Sequence, residues 1–289
     1  MKRVNIATVD VEDWFHILDH AETESVESWK NYPRRVEIGL RKILDLFDKY
    51  SVKGTFFILG WIADEYPDLV QEIYQKGHEI GSHSYAHQLV YKQTSDEFRD
   101  DLMRAEEAIE RATGTRPKFY RAPGFSITKQ SLFALRILIE RNYLADCSVF
   151  PARRAHGGLP QFTTQKPCRV VIAGVGDIIE FPINTTQIFG KKFIYSGGGY
   201  FRLFPEFAVK YLFKSSLYNM SYFHPRDFDP DQPVLSSLSK KRKFKSYYNL
   251  AGTEAKLDKL LSVEEFISLG SYLSKIEVNT LRKIQIDDV

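Results

Sequence analysis

Gly54-Thr55-Phe56-Phe57-Ile58-Leu59, a helical stretch over 63–76 closed by Gly77, then His78-Glu79-Ile80-Gly81-Ser82-His83: this run decides the fold. The first segment is short and rich in aromatic and β-branched residues, which reads as a strand buried on both faces. The middle repeats apolar residues at helical spacing and stops at a glycine. A second short strand then runs into a polar loop. Strand, helix, strand with no room for a hairpin is a βαβ unit, and βαβ units imply a parallel sheet.

The same alternation extends both ways. Upstream, Val4-Asn5-Ile6-Ala7-Thr8-Val9 reads as a strand, and residues 34–50 as a helix with Val36, Leu40, Ile43, Leu44 and Phe47 on one face. Downstream come a helix over 95–113 with Ser95 as N-cap and Gly114 as stop, a strand Lys118-Phe119-Tyr120-Arg121, a helix over 128–142 and a strand Tyr143-Leu144-Ala145-Asp146. Beyond 150 the pattern loosens. Residues 151–176 read as an irregular excursion. Ile178-Ile179-Glu180-Phe181 and Met220-Ser221-Tyr222-Phe223 read as strands around a helix at 205–215. Residues 226–252 read as irregular and basic, and helices at 254–261 and 263–274 close the chain. The expected fold class is α/β, a distorted (β/α) barrel of about seven parallel strands with an irregular insertion and C-terminal helices. No Gly/Ser linker interrupts residues 1–289, so one domain is expected, with its core at 1–235 and an appendage at 236–289.

Composition narrows the function. Of 289 residues, 43% are apolar and 27% charged, which excludes a disordered chain. Forty basic against 37 acidic side chains leave a net charge of +3, too small to argue for a nucleic-acid partner. Aromatic residues make up 14%, enough for a large core or for a surface that stacks on sugars. No apolar run is long enough for a membrane helix, and the start of the chain lacks the apolar core of a signal peptide. With only Cys147 and Cys168, a reducing, cytoplasmic setting is expected. The run Lys240-Lys241-Arg242-Lys243-Phe244-Lys245 reads as a solvated loop, or as a peripheral contact with an anionic lipid surface.

Charged residues recur where strands end: Asp10, His83, Arg121, Asp146 and His224. In α/β barrels such ends form one catalytic face. His83 and His87, four apart, place two imidazoles on one side of a helical turn, a common metal geometry. Asp10-Val11-Glu12-Asp13 supplies carboxylates, and two imidazoles with one carboxylate leave a position open for water. Arg121-Ala122-Pro123-Gly124-Phe125 joins a cation that can grip a carboxylate to a tight turn exposing backbone N–H groups.

In this order the motifs resemble the polysaccharide deacetylases, carbohydrate esterase family four. The resemblance rests on Thr8-Val9-Asp10-Val11-Glu12-Asp13, on His83-Ser84-Tyr85-Ala86-His87 preceded by Gly77-His78-Glu79-Ile80-Gly81, on Arg121-Ala122-Pro123-Gly124, on Asp146-Cys147-Ser148 and on His224, and covers roughly residues 1–235. The opening and the Tyr222-Phe223-His224-Pro225-Arg226 run look like a bacterial subgroup tied to surface or extracellular polysaccharide synthesis. It implies metal-dependent removal of N-acetyl groups from sugar residues of a polysaccharide or of its lipid-linked or oligosaccharide precursor. The metal, Zn²⁺ first and Co²⁺ or Ni²⁺ as alternatives, is held by His83, His87 and a carboxylate. The family opens on two adjacent Asp; here Val11 intervenes, which leaves both Glu12 and Asp13 as the third ligand. Asp10 is implied as general base, Arg121 as the group that holds Asp10, His224 as general acid and Asp146 as the residue orienting His224. A backbone N–H near Gly124 and Phe125 would meet the oxyanion. Trp14 and Phe15 either line the sugar pocket or pack in the core. Competing readings are a metal-dependent amidase for a small non-sugar amide and an inactive carbohydrate-binding protein.

Overall fold

The computed structural model describes residues 3–152, 157–160, 162 and 164–286. Its strands are β1 (Val4–Ile6), β2 (Thr8–Val11), β3 (Thr55–Ile58), β4 (Glu79–Ser82), β5 (Phe119–Tyr120), β6 (Ala145–Asp146), β7 (Cys168–Ile172), β8 (Gly176–Glu180), β9 (Thr186–Ile188), β10 (Lys191–Phe193), β11 (Tyr218–Met220) and β12 (Lys283–Ile286). The largest sheet has eight strands in the order β12-β7-β8-β6-β5-β4-β3-β2. Pairings β12–β7, β4–β5, β5–β6 and β6–β8 are parallel, and β7–β8 is antiparallel. The fold is α/β with a mostly parallel sheet, as the alternation implies. Its backbone forms two compact units, one of residues 1–56, 77–79 and 185–272, the other of 57–76, 80–184 and 273–289.

In the first unit, β1 pairs in parallel with β11, and β9 with β10 as a hairpin. Helix Val36–Lys49 buries Val36, Leu40, Ile43, Leu44 and Phe47, the face read from the sequence. Its Gly39 packs directly on the turn after His224: a Cβ there would lie 1.8 Å from the Pro225 carbonyl oxygen. Arg35, just before the helix, grips the buried Asp229 through two bonds of 2.6 and 2.9 Å. The His224 segment is thus clamped to one helix by a missing side chain and a two-pronged ion pair.

In the second unit, helix Ser95–Thr113 buries Phe98, Leu102, Ala105 and Ile109. Its N-cap is Thr94, not Ser95, because a reciprocal bond pair with Glu97 forms one residue earlier. Gly114 ends it at φ 70°, a conformation that favours glycine. The helix expected over 63–76 is two, Gly60–Glu65 and Pro67–Gln75. Pro67 lacks an N–H and pushes Tyr66 out of helical geometry.

Three readings need correction. Part of the excursion at 151–176 is β7, which pairs with β8; residues 153–156, 161 and 163 lie outside the described residues. The basic stretch at 226–252 contains helix Lys240–Tyr247. In the C-terminal appendage, helix 263–274 shrinks to Leu269–Leu273, while Lys283–Ile286 joins the main sheet beside β7.

Gly39→Ala tests the close approach. Alanine gains about 1 kcal/mol in helix propensity, but displacing a backbone carbonyl costs more. The variant is expected to lose about 2 kcal/mol in denaturant unfolding; equal or higher stability would mean that the turn yields freely.

Candidate active site

Asp10 lies in β2 and Glu12 just beyond it, both buried. Strand periodicity puts side chains i and i+2 on one side. His224 meets both: its Nε2 lies 3.9 Å from Asp10 Oδ2 and 3.8 Å from Glu12 Oε1. Its Nδ1 is 2.9 Å from Asp227 Oδ2, and the same oxygen accepts the His224 backbone N–H. Arg202 stands behind Asp227 at 3.6 Å. Burial disfavours the charged ring, but the Asp227 bond and the charges of Asp227, Glu12 and Asp10 outweigh it and raise the His224 pKa to about 9. Burial also works against the Asp227 carboxylate; Arg202 and His224 outweigh it and hold its pKa at about 2. The imidazolium is therefore the resting form at neutral pH. Its contribution to folding is complete below about pH 6.5 and is lost as pH rises through about 9.

Asp13, the other candidate ligand, is committed elsewhere. Its carboxylate accepts the backbone N–H groups of Trp14 at 2.8 Å, Arg35 at 3.0 Å and Val36 at 3.2 Å, and so caps helix Val36–Lys49 from outside. Burial raises its pKa to about 6 against those bonds. Phe15 is fully buried and Trp14 nearly so. Phe15 stacks on Tyr32 at 5.3 Å, Trp14 meets both rings edge-on, and its indole N–H donates to the Pro33 carbonyl at 2.8 Å. These rings form core and present no open face to a sugar.

In the second unit, His83 follows β4 and is buried with His87, their ring centroids 5.4 Å apart. The pair is not on a helical turn. Residues 83–87 form a loop with positive φ at Ser84 and His87. Asp101 holds this loop by accepting the N–H groups of Tyr85 at 2.8 Å and Ala86 at 2.9 Å. The Tyr85 ring lies under Arg104 at 3.6 Å, and Ser84 bonds to the Tyr120 hydroxyl. His83 Nδ1 lies 2.7 Å from the Arg121 carbonyl oxygen. A carbonyl only accepts, so the proton sits on Nδ1 and the lone pair on Nε2, the tautomer in which an imidazole ligates a metal through Nε2.

Arg121 is fully buried, its guanidinium 4.2 Å from the centre of the Phe57 ring and 5.5 Å from that of Phe125. The turn after it has φ 62° at Gly124. The Phe125 N–H is committed to the Ala122 carbonyl at 3.0 Å, so it is not an oxyanion donor. Asp146 faces Glu180 on the neighbouring strand, both wholly buried. Burial raises both pKa values, and the Asp146 charge raises that of Glu180 further, so the pair shares a proton. Ser148 donates to Asp146 at 2.5 Å and accepts the Ala122 N–H at 2.7 Å, while Val149 N–H reaches Glu180. The contact to His224 Nδ1 expected of Asp146 belongs instead to Asp227. Asp101, Asp227 and Glu180 were not singled out from the sequence; only Asp227 carried a signal, its i+3 spacing from His224.

The comparisons with known proteins follow these motifs. Residues 37–138 match the family model described as polysaccharide deacetylase, and residues 147–274 one described as a domain of unknown function (DUF3473). The first matched segment holds His83, His87 and Arg121. A peptidoglycan-N-acetylglucosamine deacetylase of Bacillus cereus is 41% identical over 91 residues, 32% of this chain and 33% of that protein. This chain therefore spans about a third of that relative's length. A Mycobacterium smegmatis protein described as a polysaccharide deacetylase is similar in structure at TM-score 0.65 and 18% identity, covering 100% of this chain and 94% of that one. An allantoinase is similar at TM-score 0.57 and 16% identity, over 91% and 86% of the two chains. At such identities the likeness is one of fold, and the fold alone does not choose between sugar amides and other amides.

Asp227→Asn is expected to lower the His224 pKa by more than one unit, read by NMR titration of the metal-free protein. An unchanged value would show that Asp227 does not hold the imidazolium. Asp101→Ala should leave the fold intact and weaken zinc binding about 10- to 100-fold by freeing the 83–87 loop; calorimetric titration measures it, and wild-type affinity would remove Asp101 from the site.

Proposed function

We propose that this chain is a metal-dependent N-deacetylase acting on N-acetylated glycan, with its catalytic machinery in a single domain. The observation that carries the reading is the His83–Arg121 carbonyl bond, which fixes the metal-ligating tautomer of an imidazole beside His87. The proposed ligands are His83, His87 and a carboxylate, for which the buried Glu12 is preferred because Asp13 accepts backbone N–H groups at the start of helix Val36–Lys49. Two imidazoles and a carboxylate suit Zn²⁺ and leave an open position. A bound ion supplies polarisation of the acetyl carbonyl and acidification of water.

This chain's residues do the rest. Asp10 accepts the proton of the attacking water, and Arg121 is the group proposed to orient it. The C–N bond breaks as His224 gives its proton to the amine nitrogen, which would otherwise depart as an amide anion. Asp227 keeps that proton on His224 until it is needed. The oxyanion would meet a backbone N–H of the turn after Arg121, with Gly124 preferred because the Phe125 N–H bonds to the Ala122 carbonyl. Products are acetate and a free sugar amine. The Bacillus cereus relative's name points to an N-acetylglucosamine-containing wall glycan as first substrate.

Acetate release from N-acetylated chito-oligosaccharide and peptidoglycan fragments tests the reading, with a cyclic ureide as control. Release from the glycans, loss on chelation and recovery with Zn²⁺ or Co²⁺ are expected. His224→Ala should lower turnover about 10²- to 10⁴-fold with metal content unchanged. Full activity after complete metal removal, or cleavage of the ureide alone, would refute it.

A further inference from the structure

Helix Lys240–Tyr247 contains five basic residues, no acidic one and no buried one. Its side chains divide by face. Arg242 turns inward and donates to the carbonyls of Leu18 and Asp19, and Lys243 donates to that of Ser236. Lys240, Lys241, Phe244, Lys245 and, just beyond, Tyr248 are exposed. Their spacing is i, i+1, i+4, i+5, i+8, a continuous outward stripe. Among the described residues none of these three lysines makes an ion pair. Lys240 and Lys241 also stand in the first turn, where the helix dipole repels cations. Left alone, the stripe is electrostatically unfavourable, and an external anion would reverse that sign.

A second stripe lies in the same unit. Helix Glu206–Ser215 buries Val209 and Phe213 and exposes Phe207, Tyr211 and Lys214, at i, i+4, i+7. Phe207 is 76% exposed and Tyr211 69%. Both helices attach to the same short helix, Gly198–Leu203. Its Arg202 donates to the Lys245 and Ser246 carbonyls, and Lys256 gathers the carbonyls of Phe201, Arg202 and Phe204 at the corner leading into Glu206–Ser215. Lysines interleaved with outward aromatics and no acid between them are the pattern of an interfacial helix: cations for phosphate headgroups, rings for the boundary with the acyl chains.

We infer that these two stripes bind an anionic phospholipid surface. Lys240, Lys241, Lys245 and Lys214 meet the phosphates, and Phe207, Tyr211, Phe244 and Tyr248 enter the headgroup layer. No helix among the described residues is long and apolar enough to cross a membrane, so the contact is peripheral. Charge alone would fit a nucleic acid equally well. The aromatic half of each stripe, together with exposed Leu203 and Leu217 at the ends of the second, favours lipid, because aliphatic side chains gain nothing beside a phosphodiester backbone.

Co-sedimentation of the full chain with vesicles tests this. Binding is expected to vesicles of phosphatidylcholine with about one third phosphatidylglycerol at low salt, absent with phosphatidylcholine alone, and reversed by high salt. Replacing Lys240, Lys241 and Lys245 by Ser should weaken binding about 100-fold, at roughly the known worth of each basic residue near such a surface. Phe207→Ser with Tyr211→Ser should weaken it at every salt concentration, with thermal unfolding of both variants confirming that they fold. Failure to bind the anionic vesicles, or wild-type binding by either variant, overturns the inference. So does equally tight binding to duplex DNA, or a dimer in solution that the same substitutions dissociate, since the stripes would then serve a general polyanion or a second copy of the chain.

Discussion

Asp227 lies fully buried with His224 2.9 Å on one side and Arg202 3.6 Å on the other. A carboxylate so placed must be answered locally, because an uncompensated buried charge costs several kcal/mol. Here the answer is the imidazolium itself. The pairing makes a titratable ring cationic at neutral pH and fixes the direction of its second nitrogen. The clamp that holds the pair is built from the backbone outward: Gly39 admits the Pro225 carbonyl, and Arg35 closes on Asp229. Removing water from the site is what makes these contacts strong, and it is also what makes each obligatory.

The same constraint recurs with other solutions. Asp101 is answered by two backbone amides of the histidine loop, so a helix residue sets the conformation of a segment with two strained backbone positions. Asp146 and Glu180 answer each other: burial raises both pKa values, and the pair shares a proton. Their network runs through Ser148 to the backbone of Ala122, next to Arg121. The two-residue strand β6 is held in register by backbone pairing on both sides, to β5 and to β8.

What the residues revealed beforehand was the part governed by period and by local chemistry. The apolar face of helix Val36–Lys49 and the βαβ unit around Gly54–Ser82 follow from spacing alone. Strand β12 was missed because Lys283–Ile286 alternates over only four residues, and its pairing partner β7 lies more than a hundred residues away. The histidine pair was read on a helical turn, whereas residues 83–87 form a loop whose Tyr85 and Ala86 N–H groups are held by Asp101, a partner no local pattern announces. The aromatic share divides the same way. Composition left a large core and a sugar-stacking surface open. Trp14, Phe15, Tyr85, Phe125 and Phe223 are all buried, so the share beside the motifs is chiefly core.

The acidic cluster shows how chain geometry separates three similar side chains. Along β2 the period is two, so Asp10 and Glu12 share a side while Val11 turns into the core. Both shared-side carboxylates reach the His224 ring, at 3.9 and 3.8 Å. Two adjacent acids, the family's common opening, cannot project to one side of a straight strand; an acid-x-acid spacing can. With Val11 between them, Asp10 and Glu12 place two carboxylates on one face. Asp13 comes after the strand has ended, where the chain bends, and there a carboxylate is better used to cap the helix that carries Gly39. That helix is the one the Pro225 turn rests on. The third acid thus supports His224 from behind while the first two face it, and a substitution at Asp13 reaches His224 through the helix.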